Sequence, residues 1–239
     1  MRGLGIIAAA VLGGLLCLGA LGLGMQLSGA AVKLKSLERT VVVKGLAERE
    51  VESDIVIWPI RFSEVGNELP QLVADIEKNT AVVTSFLQEN GFNADEVSVA
   101  PPTIVDKKAQ DFGNSAAVEY RYTANIVITV YSSKIDNART TMSKIINLGK
   151  QGIVLGGAQY GDQTRFGYSG LNQLKPAMVE EATRNAREVA MQFARDSESK
   201  LGKIKRASQG QFSINDRDSN TPHIKKVRVV STVEYYLSD

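Results

Sequence analysis

The first pattern along the chain is a run without ionisable charge, from Gly3 to Val32, bounded by Arg2 and Lys33. An α-helix rises about 1.5 Å per residue, so roughly 20 such residues cross a hydrocarbon core about 30 Å thick. Leu4–Leu23 alone suffices. After a linker at 33–39 the pattern turns to alternation. Thr40–Val43 is β-branched and Gly45 offers a break. Ile55, Val56, Ile57 and Trp58 then lead into alternating Ile60 and Phe62, which predicts a strand pair. Pro59 lacks a ladder donor and belongs on an edge or at a bulge, with Trp58 beside it in the core.

From Leu69 the period becomes helical. Leu72, Ile76, Val83 and Leu87 form a stripe that Val73 and Phe86 widen, and Asn90-Gly91 closes it. Glu96–Asp106 is strand-like but interrupted by Pro101-Pro102, and Lys107–Ala116 reads as a loop. Val118–Tyr131 predicts a long strand whose packed face carries Tyr120, Tyr122, Ala124, Ile126, Ile128 and Val130. A second helix is predicted over Ile135–Leu148, ending at Gly149, followed by apolar Ile153–Leu155 and a strand over Gln159–Tyr168. The third helix starts near Leu171 and ends around Leu201-Gly202, with Pro176 in its first turn and a small-residue face suited to close packing on a sheet. Lys203–Ile214 and His223–Leu237 predict a hairpin across the polar stretch Asn215–Pro222. The expected class is α+β: an N-terminal transmembrane helix within 1–32, then one domain over 40–239 with antiparallel strands and about three helices.

Charge narrows the function classes. The 239 residues carry 28 Lys+Arg against 26 Asp+Glu, and no basic cluster interleaves with aromatics, which sets nucleic acid aside. The lone Cys17 lies in the apolar run, so the rest of the chain forms neither an internal disulfide nor a thiolate metal cluster. The run is either a retained anchor or a signal with Ser28, Gly29 and Ala30 before the cut; its spanning length favours the anchor, with membrane lipid as partner along residues 4–27. Ala9–Gly13, Ala10–Gly14 and Ala20–Gly24 repeat small residues at four-residue spacing, which lets helices approach closely in lipid. Orientation does not follow from charge, because Arg2 competes with Lys33, Lys35, Arg39 and Lys44.

Candidate chemistry is sparse. His223 is the only histidine and has no nucleophile motif for company. Asp216, Asp218 and Asn220 have the spacing that opens a calcium loop, but Thr221 stands where the turn glycine belongs and Val227 where the bidentate glutamate belongs. Gly156, Gly157 and Gly161 lack the lysine and hydroxyl of a phosphate loop and read as turns. The charges on the third helix, such as Glu180 with Arg184, suit a solvated face. A polar groove near Tyr160, Arg165 and Tyr168, within Gln159–Tyr168, is the candidate ligand site. An enzyme would need carboxylates such as Asp54 or Asp162 brought together. No catalytic, metal or cofactor residue is assigned.

The order of segments carries a resemblance. Val41-Val42-Val43-Lys44-Gly45 leads to Glu50-Val51-Glu52-Ser53-Asp54, a helix closes on Glu89-Asn90-Gly91-Phe92, and Tyr120-Arg121-Tyr122-Thr123-Ala124-Asn125 enters a strand. An alanine-rich helix from Ala177 to Leu201-Gly202 and a closing strand Val227–Tyr236 follow. Over about Thr40–Leu237 this resembles the SIMPL-domain family of bacterial periplasmic and membrane-anchored proteins. The resemblance implies export, repeated strand-helix units, homo-oligomeric ring or channel-like assembly and a link to oxidative-stress defence, with no catalytic residue to carry over. It places the domain in the periplasm, tethered to the inner membrane by a single pass or released after cleavage.

Overall fold

The computed structural model describes residues 13–14, 39–109, 119–156 and 163–238. The apolar segment 4–27 therefore lies almost wholly outside the described residues, as do Gln159, Tyr160 and Asp162. Among the described residues no helix is long and apolar enough to cross a membrane. Along the chain run β1 (Thr40–Glu52), β2 (Ile55–Gly66), α1 (Leu69–Glu89), β3 (Val97–Val99), β4 (Thr103–Asp106) and β5 (Tyr122–Ser132). They are followed by α2 (Ile135–Lys144), α3 (Ile146–Lys150), β6 (Arg165–Gly167), α4 (Leu171–Asp196), β7 (Lys200–Gln209), β8 (Ser213–Asp216) and β9 (Ile224–Ser238). The α+β class is as expected. The described residues divide into two compact units, the first holding 39–48, 175–213 and 228–238, the second 49–109, 119–156, 163–174 and 214–227.

The second unit is built on an antiparallel sheet in the order β3-β5-β2-β6, with β4 also paired to β5. Strand alternation sends Val56, Trp58, Ile60 and Phe62 of β2 and Ala124, Ile126, Ile128 and Val130 of β5 to one face. There they are buried against Leu72, Ile76, Val83, Phe86 and Leu87 of α1. Each such aliphatic or aromatic side chain stabilises the fold by about 1.5–3 kcal/mol on burial. Trp58 packs edge-to-face on Phe92 at 6.5 Å, the core role its sequence position suggests. Helix α1 closes where Asn90-Gly91 predicts, with Gly91 at φ 90°.

Pro59 lies in the middle of β2, opposite Thr129 of β5. Ser63 N donates to Val154 O and Gly156 N to Arg61 O, on the side of β2 away from β5. Pro59 shares that parity, and it falls after the last β6 partner, Ile57, and before the Phe62–Leu155 bridge. Its missing N–H therefore faces away from β5 and breaks no bond of the β2–β5 ladder. The long strand of the sequence reading needs a correction: the described strand begins at Tyr122, and it is interior, flanked by β2 on one side and by β3 and β4 on the other. Strand order depends on long-range pairing, which alternation does not report.

The other sheet has the order β1-β9-β7, with β8 also paired to β9, and the first unit holds its residues 40–48, 200–209 and 228–238. Leu237 N donates to Arg39 O at one end of β1 and Ser53 N to His223 O at the other, so β1 and β9 run antiparallel. Helix α4 buries Met178, Ala182, Ala186, Ala190 and Ala194, a four-residue period that makes one narrow face. That face meets Val43, Val233 and Tyr235. Gly45 is no break: β1 runs straight through it. A Cβ there would run into the Ala182 carbonyl oxygen and the Ala186 backbone nitrogen and stand 2.9 Å from Ala186 Cβ. The glycine is what lets helix and strand backbones meet.

Three further boundaries differ from the sequence reading. The second predicted helix is two, α2 and α3, separated by Ile145, and it closes on Gly152 at φ 89° instead of Gly149. Helix α4 ends at Asp196, before Leu201: Ser199 N donates to Ala194 O at 2.8 Å and Glu198 N to Arg195 O at 3.0 Å, with Glu198 at φ 52°. This is a Schellman closure with a glutamate in the left-handed position that glycine usually fills. Pro176 lies beyond the first turn of α4, where its ring forgoes an intrahelical hydrogen bond. The predicted hairpin strand Lys203–Ile214 is likewise two strands, β7 and β8.

Candidate functional site

In the second unit the β1–β2 turn, the segment after β6 and the start of β9 come together. Ser169 N donates to Asp54 Oδ1 and Oδ2 at 2.8 and 2.9 Å, and Ser169 Oγ donates to Oδ2 at 2.7 Å. Asp54 N donates to Gly167 O at 2.9 Å and Ser53 N to His223 O at 2.8 Å. The His223 ring stands edge-to-face on Phe166 at 6.1 Å. Asp54, a candidate acid, is thus a fastener for the turn, and His223 contributes its carbonyl and its apolar ring face. Arg165 lies opposite Ile57 in β6, while the Tyr168 ring folds back over Gly170. Their proposed partner Tyr160 lies outside the described residues.

The acidic spacing at Asp216, Asp218 and Asn220 resolves into a turn. Asp218 accepts from the Thr221 hydroxyl, from Arg217 Nε at 3.0 Å, and from Asn220 N and Thr221 N at 2.9 and 2.8 Å. The Thr221 hydroxyl and then the Arg217 guanidinium hold its carboxyl well below the usual range. Asp216 pairs with the buried Lys225. The carboxylates face donors, and among the described residues no group of His, Cys, Asp or Glu is gathered for a metal.

Two polar knots escaped the sequence reading. Burial alone would raise the Glu96 carboxyl, but Asn93 N, Lys134 Nζ and Ser132 Oγ bind it at 2.8, 2.6 and 2.5 Å and hold it down to about 2. Lys134 Nζ also donates to Gly91 O at 2.8 Å, tying the end of α1 to the end of β5. Asp106 takes Arg121 Nε at 3.2 and 3.1 Å and Nη2 at 2.8 Å, which lowers its carboxyl and closes the β4–β5 pair. These partners are 38 and 15 residues apart in sequence, and no local spacing announces them.

A largely apolar groove of about 580 Å³ is lined by Val73, Ile76, Ala81, Val99 and Pro102, with Glu77, Thr80, Thr84 and Ser85 along it. Val73, counted with the core stripe from its spacing, instead opens into this groove and is 39 % exposed. Pro101-Pro102 lies between β3 and β4, and Val99 and Pro102 face α1 residues across the groove.

In the first unit the two edges of the sheet differ. β1 is 13 residues long and exposes Val42 at 61 % and Leu46 at 40 %. Since Arg39 O faces β9, the even positions Thr40, Val42 and Lys44 turn their backbone groups to the outer edge, and Asn185 Nδ2 covers Leu46 O at 2.8 Å. β7 carries Lys200, Lys203, Lys205 and Arg206, and its register shifts on either side of Ile204. Charge and bulges of this kind keep a strand edge from pairing.

Compared with known families, residues 41–235 match the family described as SIMPL, Protein of unknown function (DUF541). No curated protein matches the chain.

Proposed function

This chain belongs to the SIMPL family, and on that premise we propose a non-enzymatic envelope protein, tethered to a bacterial inner membrane and self-associating into a ring or channel-like homo-oligomer on the periplasmic side. The observation that carries the reading is the uncharged run Gly3–Val32, whose length matches a bilayer and whose small residues recur at four-residue spacing. The polar clusters support it from the other direction, since Asp54, Asp106, Asp216 and Asp218 are engaged in holding turns and strands together. Sequence alone offers two surfaces for self-association, an edge strand near Pro59 or the long strand Val118–Tyr131; since β5 is flanked on both sides, the proposal assigns it to the β1 edge, which is long and displays Val42 and Leu46. The link to oxidative-stress defence belongs to the same proposal and rests on the family resemblance.

Alkaline extraction of membranes from expressing cells, with an intact mass of the extracted chain, tests the tether. The proposal expects the chain in the membrane pellet at full mass. Release into the supernatant at a mass that lacks the first 30 or so residues, cut after the small residues Ser28, Gly29 and Ala30, contradicts it.

A second reading, a periplasmic small-ligand-binding module, is favoured by the groove at Val73, Val99 and Pro102. It moves the candidate ligand site from Gln159–Tyr168 to α1. Small apolar ligands that raise the melting temperature of the wild type but not of Val73→Glu support this reading.

A further inference from the structure

At one end of the first unit's sheet, the place where the chain enters the fold coincides with a concentration of positive charge. Leu237 N donates to Arg39 O, Arg39 Nη2 donates to Ser199 Oγ at 3.1 Å, and Lys200 pairs in register with Ser238. The start of β1, the end of β9 and the start of β7 therefore share that end. From there β7 carries Lys200, Lys203, Lys205 and Arg206 with no acidic residue in its ten positions, almost all of them exposed. The acidic groups around it are Asp196 and Glu198 in the α4–β7 turn, Glu234 on β9 and, next in sequence to Ser238, Asp239, four against the five of Arg39, Lys200, Lys203, Lys205 and Arg206. Gln192 Nε2 donates to Asp196 at 2.9 Å, and Glu234 accepts from Lys205 at 3.0 Å. The basic groups outnumber them.

The uncharged run ends at Val32, and residues 33–39 reach at most about 25 Å when fully extended. A run inserted in a bilayer thus holds the Arg39–Lys200 end close to the headgroups. Each Lys or Arg brought within a screening length of an anionic leaflet favours contact by roughly fivefold. The tether makes that contact intramolecular, so a surface too weak to bind alone suffices.

We infer that the Arg39–β7 end of the first unit docks on anionic phospholipid headgroups and presses this unit against the bilayer that its own leader enters. The inference rests on the tether proposed above, and it assigns β7 a partner in addition to its guarding of the edge.

The test uses the full chain with Cys17→Ser and Ala207→Cys, the exposed neutral position on β7, carrying a fluorophore. The protein is reconstituted into vesicles of phosphatidylcholine alone or mixed with phosphatidylglycerol, each containing a headgroup-linked quencher. Flotation with both kinds of vesicle reports the tether. Quenching several-fold stronger with phosphatidylglycerol, lost in about 1 M salt where the screening length is about 3 Å and lost in Lys203→Glu/Arg206→Glu, supports docking. The milder Lys203→Gln/Arg206→Gln pair, expected to lose part of the quenching, serves if charge reversal disturbs the fold. Flotation with equal quenching in both vesicles overturns docking and leaves the tether standing. Charge-reversed chains that form larger assemblies with unchanged quenching also overturn it, because the charges then serve only to guard the edge. Failure to float overturns both.

Discussion

The core of the second unit is made of large side chains: Phe62, Ile60, Ile126, Ile128, Leu72 and Leu87 fill the space between α1 and the sheet. The core of the first unit is made largely of missing ones along α4, since Ala182 and Ala186 meet Gly45, and the bulk beside Ala186 and Ala190 comes from Val43, Val233 and Tyr235 with Val41 and Leu201 packed against them. One core gains stability from transferred apolar area, the other from close backbone approach and the dispersion contacts it permits. The first kind is damaged by removing atoms. The second is damaged by adding them.

That contrast sets the order of expected effects. Phe62→Ala leaves a cavity in the second unit and costs about 3–5 kcal/mol in urea unfolding followed by fluorescence of Trp58, the only tryptophan. A loss below about 1 kcal/mol would mean that the α1 layer collapses into the space and the core is not close-packed. Gly45→Ala adds a single methyl, yet it costs about 3 kcal/mol, because the obstacles are the backbones of Ala182 and Ala186 and not mobile side-chain ends. Far-UV circular dichroism during unfolding measures it, and a neutral result contradicts the close approach.

Smaller effects sharpen the comparison at the polar ties. Glu96 has its folded pKa depressed from 4.5 to about 2, so its contribution is present above pH 4.5 and disappears as the pH falls toward 2. Glu96→Gln should cost about 1–2 kcal/mol at neutral pH, allowing for solvent screening. The gap between variant and wild type should narrow through the same acidic window. A gap that is constant from pH 7 to about 2 shows that packing and not charge is lost. Glu198→Gly should raise stability by about 0.5–1 kcal/mol, since glycine takes the left-handed position at the end of α4 without steric cost. A loss there would show that the glutamate side chain holds the turn.

The limits of the sequence reading follow the same division. The α1 stripe, its Asn90-Gly91 closure, the buried parity of Ala124–Val130 and the start of α4 at Leu171 were legible because local period and capping chemistry encode them. The role of Gly45 was not, because an isolated glycine in a β-branched segment looks the same as a break or as a contact point until the opposing helix is in place. The end of α4 was misplaced because the left-handed residue is Glu198, which carries no glycine signal. For the candidate site, residue types pointed to Asp54, His223 and the Asp216–Asn220 spacing. Their actual partners, Ser169, Phe166 and Lys225, are settled by strand order. The groove at Val73 was hidden because a helical stripe does not say which of its margins is covered.

Edges and cores together bear on the proposed assembly: among the described residues the first unit's sheet has one guarded edge, β7, and one edge that displays apolar side chains, β1. The decisive measurement is the native mass of the full chain, residues 1–39 retained, in a mild detergent. The account predicts a single closed multiple of the monomer mass that Val42→Lys/Leu46→Lys reduces toward monomer. A monomer alone for the wild-type chain, at concentrations where it remains folded, contradicts it.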